Sequence, residues 1–115
     1  MNVTIYHNPR CTKSRETLAL LQQKGVVPDI IEYLKTPPSA AELDAVLQKL
    51  GMEPREAMRR KEPPYKALAL DNEALTRGQL IQAMVENPVL IERPIVLAND
   101  KARIGRPPEA VLDIL

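Results

Sequence analysis

The chain has 115 residues, enough for one domain and too few for a second. Hydrophobic residues make up 44% of it, yet Phe and Trp are absent, so any core must be mostly aliphatic. Lys plus Arg (16) nearly cancels Asp plus Glu (15), and a net charge of +1 excludes the strongly basic surface that a nucleic acid or an anionic membrane would favour as main partner.

No apolar run approaches the length needed to span a bilayer. The opening MNVTIYHNPRC lacks the basic flank and long apolar stretch of a signal peptide, so Met1 reads as the native N-terminus. One cysteine cannot form an internal disulfide. That fits a reducing cytoplasm and rules out a disulfide framework or an all-Cys metal site. The 11 prolines fall between periodic segments rather than in a low-complexity tract.

In chain order, Val3 to Tyr6 is short and β-prone. A helical pattern runs from about Thr12 to Lys24, with Leu18 and Leu21 on one face and Gly25 placed to end it. Ile30 to Leu34 is a second strand, making a βαβ unit with parallel strands. After Thr36-Pro37-Pro38, Ser39 and Glu42 form a capping box for a helix carrying Leu43, Val46, Leu47 and Leu50, closed by Gly51. Residues 54 to 61 read as a short charged helix stopped near Pro63-Pro64. A second capping box, Thr76 with Gln79, opens a helix bearing Leu80, Ile81, Met84 and Val85, which Asn87-Pro88 ends.

Ile95 to Ala98 and Ala102 to Gly105 read as a hairpin around Asn99-Asp100, and both turn residues tolerate positive φ. Pro107 or Pro108 suits the first turn of a terminal helix with Val111, Leu112 and Leu115. The sum is βαβ, a helical insert, then ββα. That order is thioredoxin-like: an α/β fold with a four-stranded mixed sheet and helices on both faces, in one domain over residues 1–115.

Cys11 falls where the first strand has ended and the first helix begins. Backbone N–H groups there lack intrahelical partners, and the helix dipole adds about half a positive charge. Both favour a thiolate, and the same N–H groups can hold an oxyanion. A free cysteine is often just a small buried hydrophobe. The neighbours Asn8, Pro9, Arg10, Thr12, Lys13 and Ser14 do not describe a core. A tyrosine-phosphatase loop needs Arg six positions after the cysteine, where Thr17 stands. Ser14 replaces the second cysteine of C-x-x-C, so a redox cycle must borrow an external thiol, with glutathione the obvious donor.

With Asn99 and Asp100 as the turn, Ala98 faces Lys101, Val96 faces Arg103, and Arg93 faces Arg106. Two facing arginines repel, and a shared anion removes that cost because guanidinium forks match oxyanion geometry. The alternative is that both splay into solvent. His7, four residues before Cys11, either tunes the thiol or holds the loop by a hydrogen bond. Metal binding is not expected, since one His and one Cys make a poor ligand set.

Tyr6-His7-Asn8-Pro9-Arg10-Cys11, Ser14-Arg15, Tyr33-Leu34-Lys35-Thr36-Pro37-Pro38, Glu92-Arg93-Pro94-Ile95-Val96 and Gly105-Arg106-Pro107 together resemble the glutaredoxin-linked arsenate reductases, the ArsC side of a superfamily that includes the Spx-type regulators. The resemblance covers essentially the whole chain and is nearest to the short bacterial members. It implies Cys11 as the residue that attacks arsenate, and His7 as its catalytic assistant. It implies Arg59, Arg93 and Arg106 as the oxyanion clamp, with Arg60 adjoining Arg59. It also implies a cis peptide at Arg93-Pro94, no bound cofactor, glutathione as thiol co-substrate, and glutaredoxin as the partner that strips glutathione from Cys11. A monomer in the cytoplasm is expected. The competing readings are an Spx-like regulator without enzymatic activity and a general monothiol oxidoreductase acting on glutathione mixed disulfides.

Overall fold

β1 (Val3–His7) alternates its side chains so that Val3 and Ile5 join Leu21, Val96, Ala98, Val111 and Ile114 in one buried aliphatic cluster. The computed structural model describes residues 2–115, so the reading of Met1 as the N-terminus lies outside the described residues. β1 pairs in parallel with β2 (Asp29–Glu32) and antiparallel with β3 (Ile95–Ala98), which forms a hairpin with β4 (Lys101–Ile104). The sheet order β2-β1-β3-β4 is mixed and four-stranded, and the chain has the expected thioredoxin-like α/β fold.

α1 (Thr12–Gln23) ends in a Schellman motif. Val26 N–H reaches Leu21 O and Gly25 N–H reaches Gln22 O, which requires the left-handed conformation that Gly25 adopts at φ +78°. β2 is shorter than its apolar run. Lys35 and Thr36 N–H both donate to Glu32 O at 2.9 Å, so residues 33 to 36 turn away with Tyr33 buried. The terminal helix is a 3₁₀ segment, Pro108–Ile114, so its buried positions are three apart, Val111 and Ile114, rather than Val111, Leu112 and Leu115.

The chain divides into two compact units, one comprising the residues up to Thr36 and from Arg93 onward, the other Pro37–Glu92. The second unit is the expected helical insert. Both capping boxes form there, Ser39 with Glu42 at the start of α2 (Ala40–Leu50) and Thr76 with Gln79 at the start of α4 (Arg77–Glu86). Arg77 Nε donates to Asp44 Oδ1 at 2.8 Å and ties those two helices together. The charged helix expected over residues 54 to 61 is only a 3₁₀ turn, Pro54–Ala57. Met58 leaves it extended and pairs with Ile91, because Arg59 N–H and Ala57 O find partners in Leu90 O and Glu92 N–H. Pro63 opens the short α3 (Pro63–Ala67) instead of stopping a helix, as a proline can in a first turn. Among the described residues no helix is long and apolar enough to cross a membrane.

Asn99 and Asp100 both have positive φ, 53° and 61°, the type I′ geometry that suits a two-residue hairpin turn. Asn99 Nδ2 also donates to Ile114 O at 2.8 Å, fastening the end of the chain to the hairpin tip. Asn99→Gly should therefore lose only that bond, about 1 kcal/mol. Asn99→Ala should lose it and also meet the left-handed penalty of about 1–2 kcal/mol. Urea unfolding of the two variants should rank Ala below Gly; equal midpoints would contradict the double role.

Candidate active site

β1 ends at His7 and α1 begins at Thr12, so Asn8 to Cys11 form the turn that delivers Cys11 to the N-cap. That turn is held at every residue. Cys11 N–H donates to Asn8 O at 3.0 Å, Arg10 N–H to Asn8 Oδ1 at 3.0 Å, and Arg15 Nη1 to Pro9 O at 2.9 Å. Asn8 N–H donates to Ser14 Oγ at 3.0 Å, one turn into the helix. The backbone at Cys11 is extended, as N-caps require, and its carbonyl accepts from Arg15 N–H.

Cys11 is 8% exposed. Burial pushes its thiol pKa up. The N–H of Ser14, the Arg93 guanidinium and the N–H of Lys13 lie close enough to the sulfur to outweigh that, and the net effect is a pKa below the ordinary thiol value. Arg106 Nη2 stands 3.7 Å from Sγ. His7 is buried at the end of β1, with Nδ1 2.6 Å from Ser14 Oγ. Its pKa is lowered, mainly by burial; Glu32 opposes the shift and Arg15 adds to it.

The hairpin register is the expected one: Ala98 pairs with Lys101, Val96 with Arg103 and Ile95 with Ile104. Arg93 and Arg106 therefore stand opposite each other beyond the ladder. They do not splay apart. Arg106 Nε donates to Arg93 O at 2.9 Å, and Nε and Nη1 of Arg93 are buried. The Arg93-Pro94 peptide is cis, as the resemblance implied, and so is Arg106-Pro107.

Gly105 explains how close this hairpin end can come to α1. A Cβ there would stand 2.4 Å from Thr17 Oγ1, 3.1 Å from Thr17 Cγ2 and 2.9 Å from Pro94 Cγ. Thr17 is itself fully buried, its hydroxyl donating to Lys13 O at 2.8 Å. The first unit thus brings together Cys11, His7, Arg93 and Arg106. Arg59 and Arg60 belong to the second unit. There Arg59 Nη1 pairs with Glu62 Oε1 at 2.6 Å, and Arg60 donates to Arg55 O.

The sequence alone shows Ser14 as the missing second thiol and gives Gly105 and Thr17 no positioning role. The signal for Ser14 was its i+3 spacing from an N-cap, which aims its N–H at the cap side chain. Gly105, adjoining Arg106, carried the usual mark of close backbone approach.

The ArsC family model matches residues 6–114. A protein named arsenate reductase from Haemophilus influenzae is 54% identical over 116 residues, covering 100% of both chains. An uncharacterized Escherichia coli protein, YfgD, is 60% identical over 98% of this chain and 96% of its own. The solved structure of an arsenate reductase from Vibrio cholerae, 56% identical, superposes with a TM-score of 0.97 over 100% of this chain and 98% of that one.

Two outcomes follow from this geometry. Gly105→Ala should cost about 1–3 kcal/mol by overpacking and move the arginines away from Cys11. The pH midpoint of Cys11 alkylation, expected below that of a free thiol in the wild type, should then rise; a midpoint that stays put would show that Gly105 does not position them. For His7, burial makes the folded state bind fewer protons than the unfolded one once pH falls below about 6.5. Stability should therefore decline as pH drops through that value toward the lower folded pKa, and His7→Gln should flatten that part of the profile.

Proposed function

The chain belongs to the ArsC family, and from that premise we propose that it reduces arsenate to arsenite, with Cys11 as nucleophile and glutathione and glutaredoxin as the source of electrons. The observation that carries this reading is the meeting of Arg106 Nη2 and Cys11 Sγ at 3.7 Å, with the Arg93 guanidinium beside the same sulfur. A nucleophile and a fork-shaped cation pair at one point suit a small oxyanion better than a peptide disulfide.

Cys11 thiolate attacks dihydrogen arsenate, an As–S bond forms, and one proton is consumed as an oxygen leaves as water. The product is a thiol-linked As(V) monoanion, Cys11–S–AsO3H. Arg93 and Arg106 offset its charge, and the N–H groups at the start of α1 add partial positive charge. Glutathione sulfur then attacks Cys11 Sγ. The As–S electron pair stays on arsenic, which becomes As(III) and departs as arsenite with the thiol proton, leaving glutathione disulfide-bonded to Cys11. A glutaredoxin thiolate takes up that glutathione and restores Cys11. A reducing cytoplasm keeps the lone cysteine free and supplies the thiol. His7 supports the thiolate through Ser14, whose Oγ it meets and whose N–H lies beside Sγ.

The test is NADPH oxidation by purified protein with arsenate, glutathione, glutaredoxin and glutathione reductase. Cys11→Ser should abolish the arsenate-dependent rate, and an unchanged rate would sink the proposal. Arg93→Ala and Arg106→Ala should each weaken arsenate binding by about 1.5–3 kcal/mol, the worth of a charged hydrogen bond. Lysine at either position should recover only part, since it restores charge without the fork.

A further inference from the structure

We propose that a cleft beside the Cys11 turn seats the thiol co-substrate, a small peptide thiol with two carboxylates and one ammonium group, for which glutathione is the probe. The inference rests on the reading that an external thiol resolves Cys11, and it assigns that thiol a place.

The cleft is about 300 Å³, at the lower end of the range for small-molecule sites. One wall is the turn itself, with His7, Pro9 and Arg10; the other is the segment leaving β2, with Glu32, Leu34 and Lys35. Arg10 is bonded directly to Cys11, so the cleft is lined by the same turn that presents the reacting residue. His7 ties this wall to the nucleophile's helix through Ser14 Oγ at 2.6 Å. The turn is preorganised by its own hydrogen bonds, so a ligand would not have to order it.

The charges fit the ligand group by group. Arg10 and Lys35 offer two cations for two carboxylates, and Glu32 offers one carboxylate for the ammonium. In the free protein Lys35 Nζ lies 3.5 Å from Glu32 Oε1, and both side chains are well exposed, so that pair is cheap to open. Leu34 is 46% exposed, and with Pro9 it gives an apolar floor for the ligand's methylene groups. An oxyanion alone would use the cations and leave Glu32 and Leu34 without a purpose. A zwitterionic peptide uses all four.

The test compares the wild type with Lys35→Glu, an exposed substitution that leaves the core alone. Initial rates at saturating arsenate are measured against glutathione and against 2-mercaptoethanol, a thiol with no charged groups. The ratio of the two KM values, glutathione over 2-mercaptoethanol, should rise roughly three- to fivefold in the variant, the scale of one exposed ion pair. S-methylglutathione, which binds without reacting, should weaken by the same factor in calorimetry. A ratio and an affinity that both stay unchanged would overturn the cleft assignment, as would equal losses with both thiols, which would mean general damage to the turn. If the wild type turns over arsenate with 2-mercaptoethanol but not with glutathione, the glutathione dependence itself fails, and the cleft with it.

Discussion

Helix α1 and the open end of the β3–β4 hairpin meet across a gap that admits a hydrogen atom at residue 105 but no methyl group. Thr17 Oγ1 would lie 2.4 Å from a Cβ there, well inside any real contact. Neither side yields easily. Thr17 is fully buried with its hydroxyl bonded to Lys13 O, and Gly105 is tied to Pro94 O through its own N–H at 2.9 Å. This close approach sets the distance from the hairpin to the helix start, where Cys11 sits. Arg93, Pro94 and Arg106 follow from it, because two come just before β3 and one directly after Gly105. A site made of groups from three separate stretches of chain thus depends on one missing side chain.

That approach also decides the chemistry of the thiol. A buried sulfur on its own is driven toward its neutral form, and at 8% exposure Cys11 suffers that penalty. The compensation comes from two sources with different geometry. Backbone N–H groups of Lys13 and Ser14 belong to the same helix turn as Cys11 and are supplied by local structure. The guanidinium of Arg93 arrives from the far end of the chain and is supplied only by the fold. Both lower the pKa, so thiolate formation is sensitive to whether the hairpin is docked. Arg106 shows the same economy. Its Nε is used on Arg93 O, which orients the fork, and its Nη2 is left facing Sγ.

The parts of this structure that were legible in the sequence are those written in adjacent residues. Ser39 with Glu42, Thr76 with Gln79, and the Asn99-Asp100 turn each specify their own backbone within four residues, and each formed as read. The hairpin register followed from the turn alone, and with it the juxtaposition of Arg93 and Arg106. Boundaries set by partners distant in sequence were not legible. The stretch after Pro54 has helical composition, yet Met58 is drawn out to pair with Ile91, more than thirty positions away. The terminal segment has an apolar pattern compatible with either helix type, and the packing of Val111 and Ile114 against the sheet cluster selects the 3₁₀ period. Gly105 marks a close approach in the sequence without naming its partner, for the same reason. Its meaning lies in Thr17, 88 positions earlier, and one sequence holds no trace of that contact.

Ser14 bears most directly on which kind of thiol protein this fold houses. Where a dithiol enzyme or a disulfide switch would carry a second cysteine, this chain carries a fully buried hydroxyl committed to two partners, Asn8 N–H and His7 Nδ1. A cysteine in its place would put a larger atom and a weaker hydrogen-bonding group between His7 and the turn, loosening the loop that presents Cys11. The position is therefore occupied by a structural task and is not simply a resolving residue that was lost. That argues against the Spx-like reading, whose regulators commonly use a C-x-x-C disulfide switch. The facing arginines argue separately against a general mixed-disulfide reductase, because two guanidinium groups converging on one sulfur serve a compact anion and give a peptide backbone little to bind. What is left is the proposed reading, a one-thiol catalyst that takes its second thiol from outside.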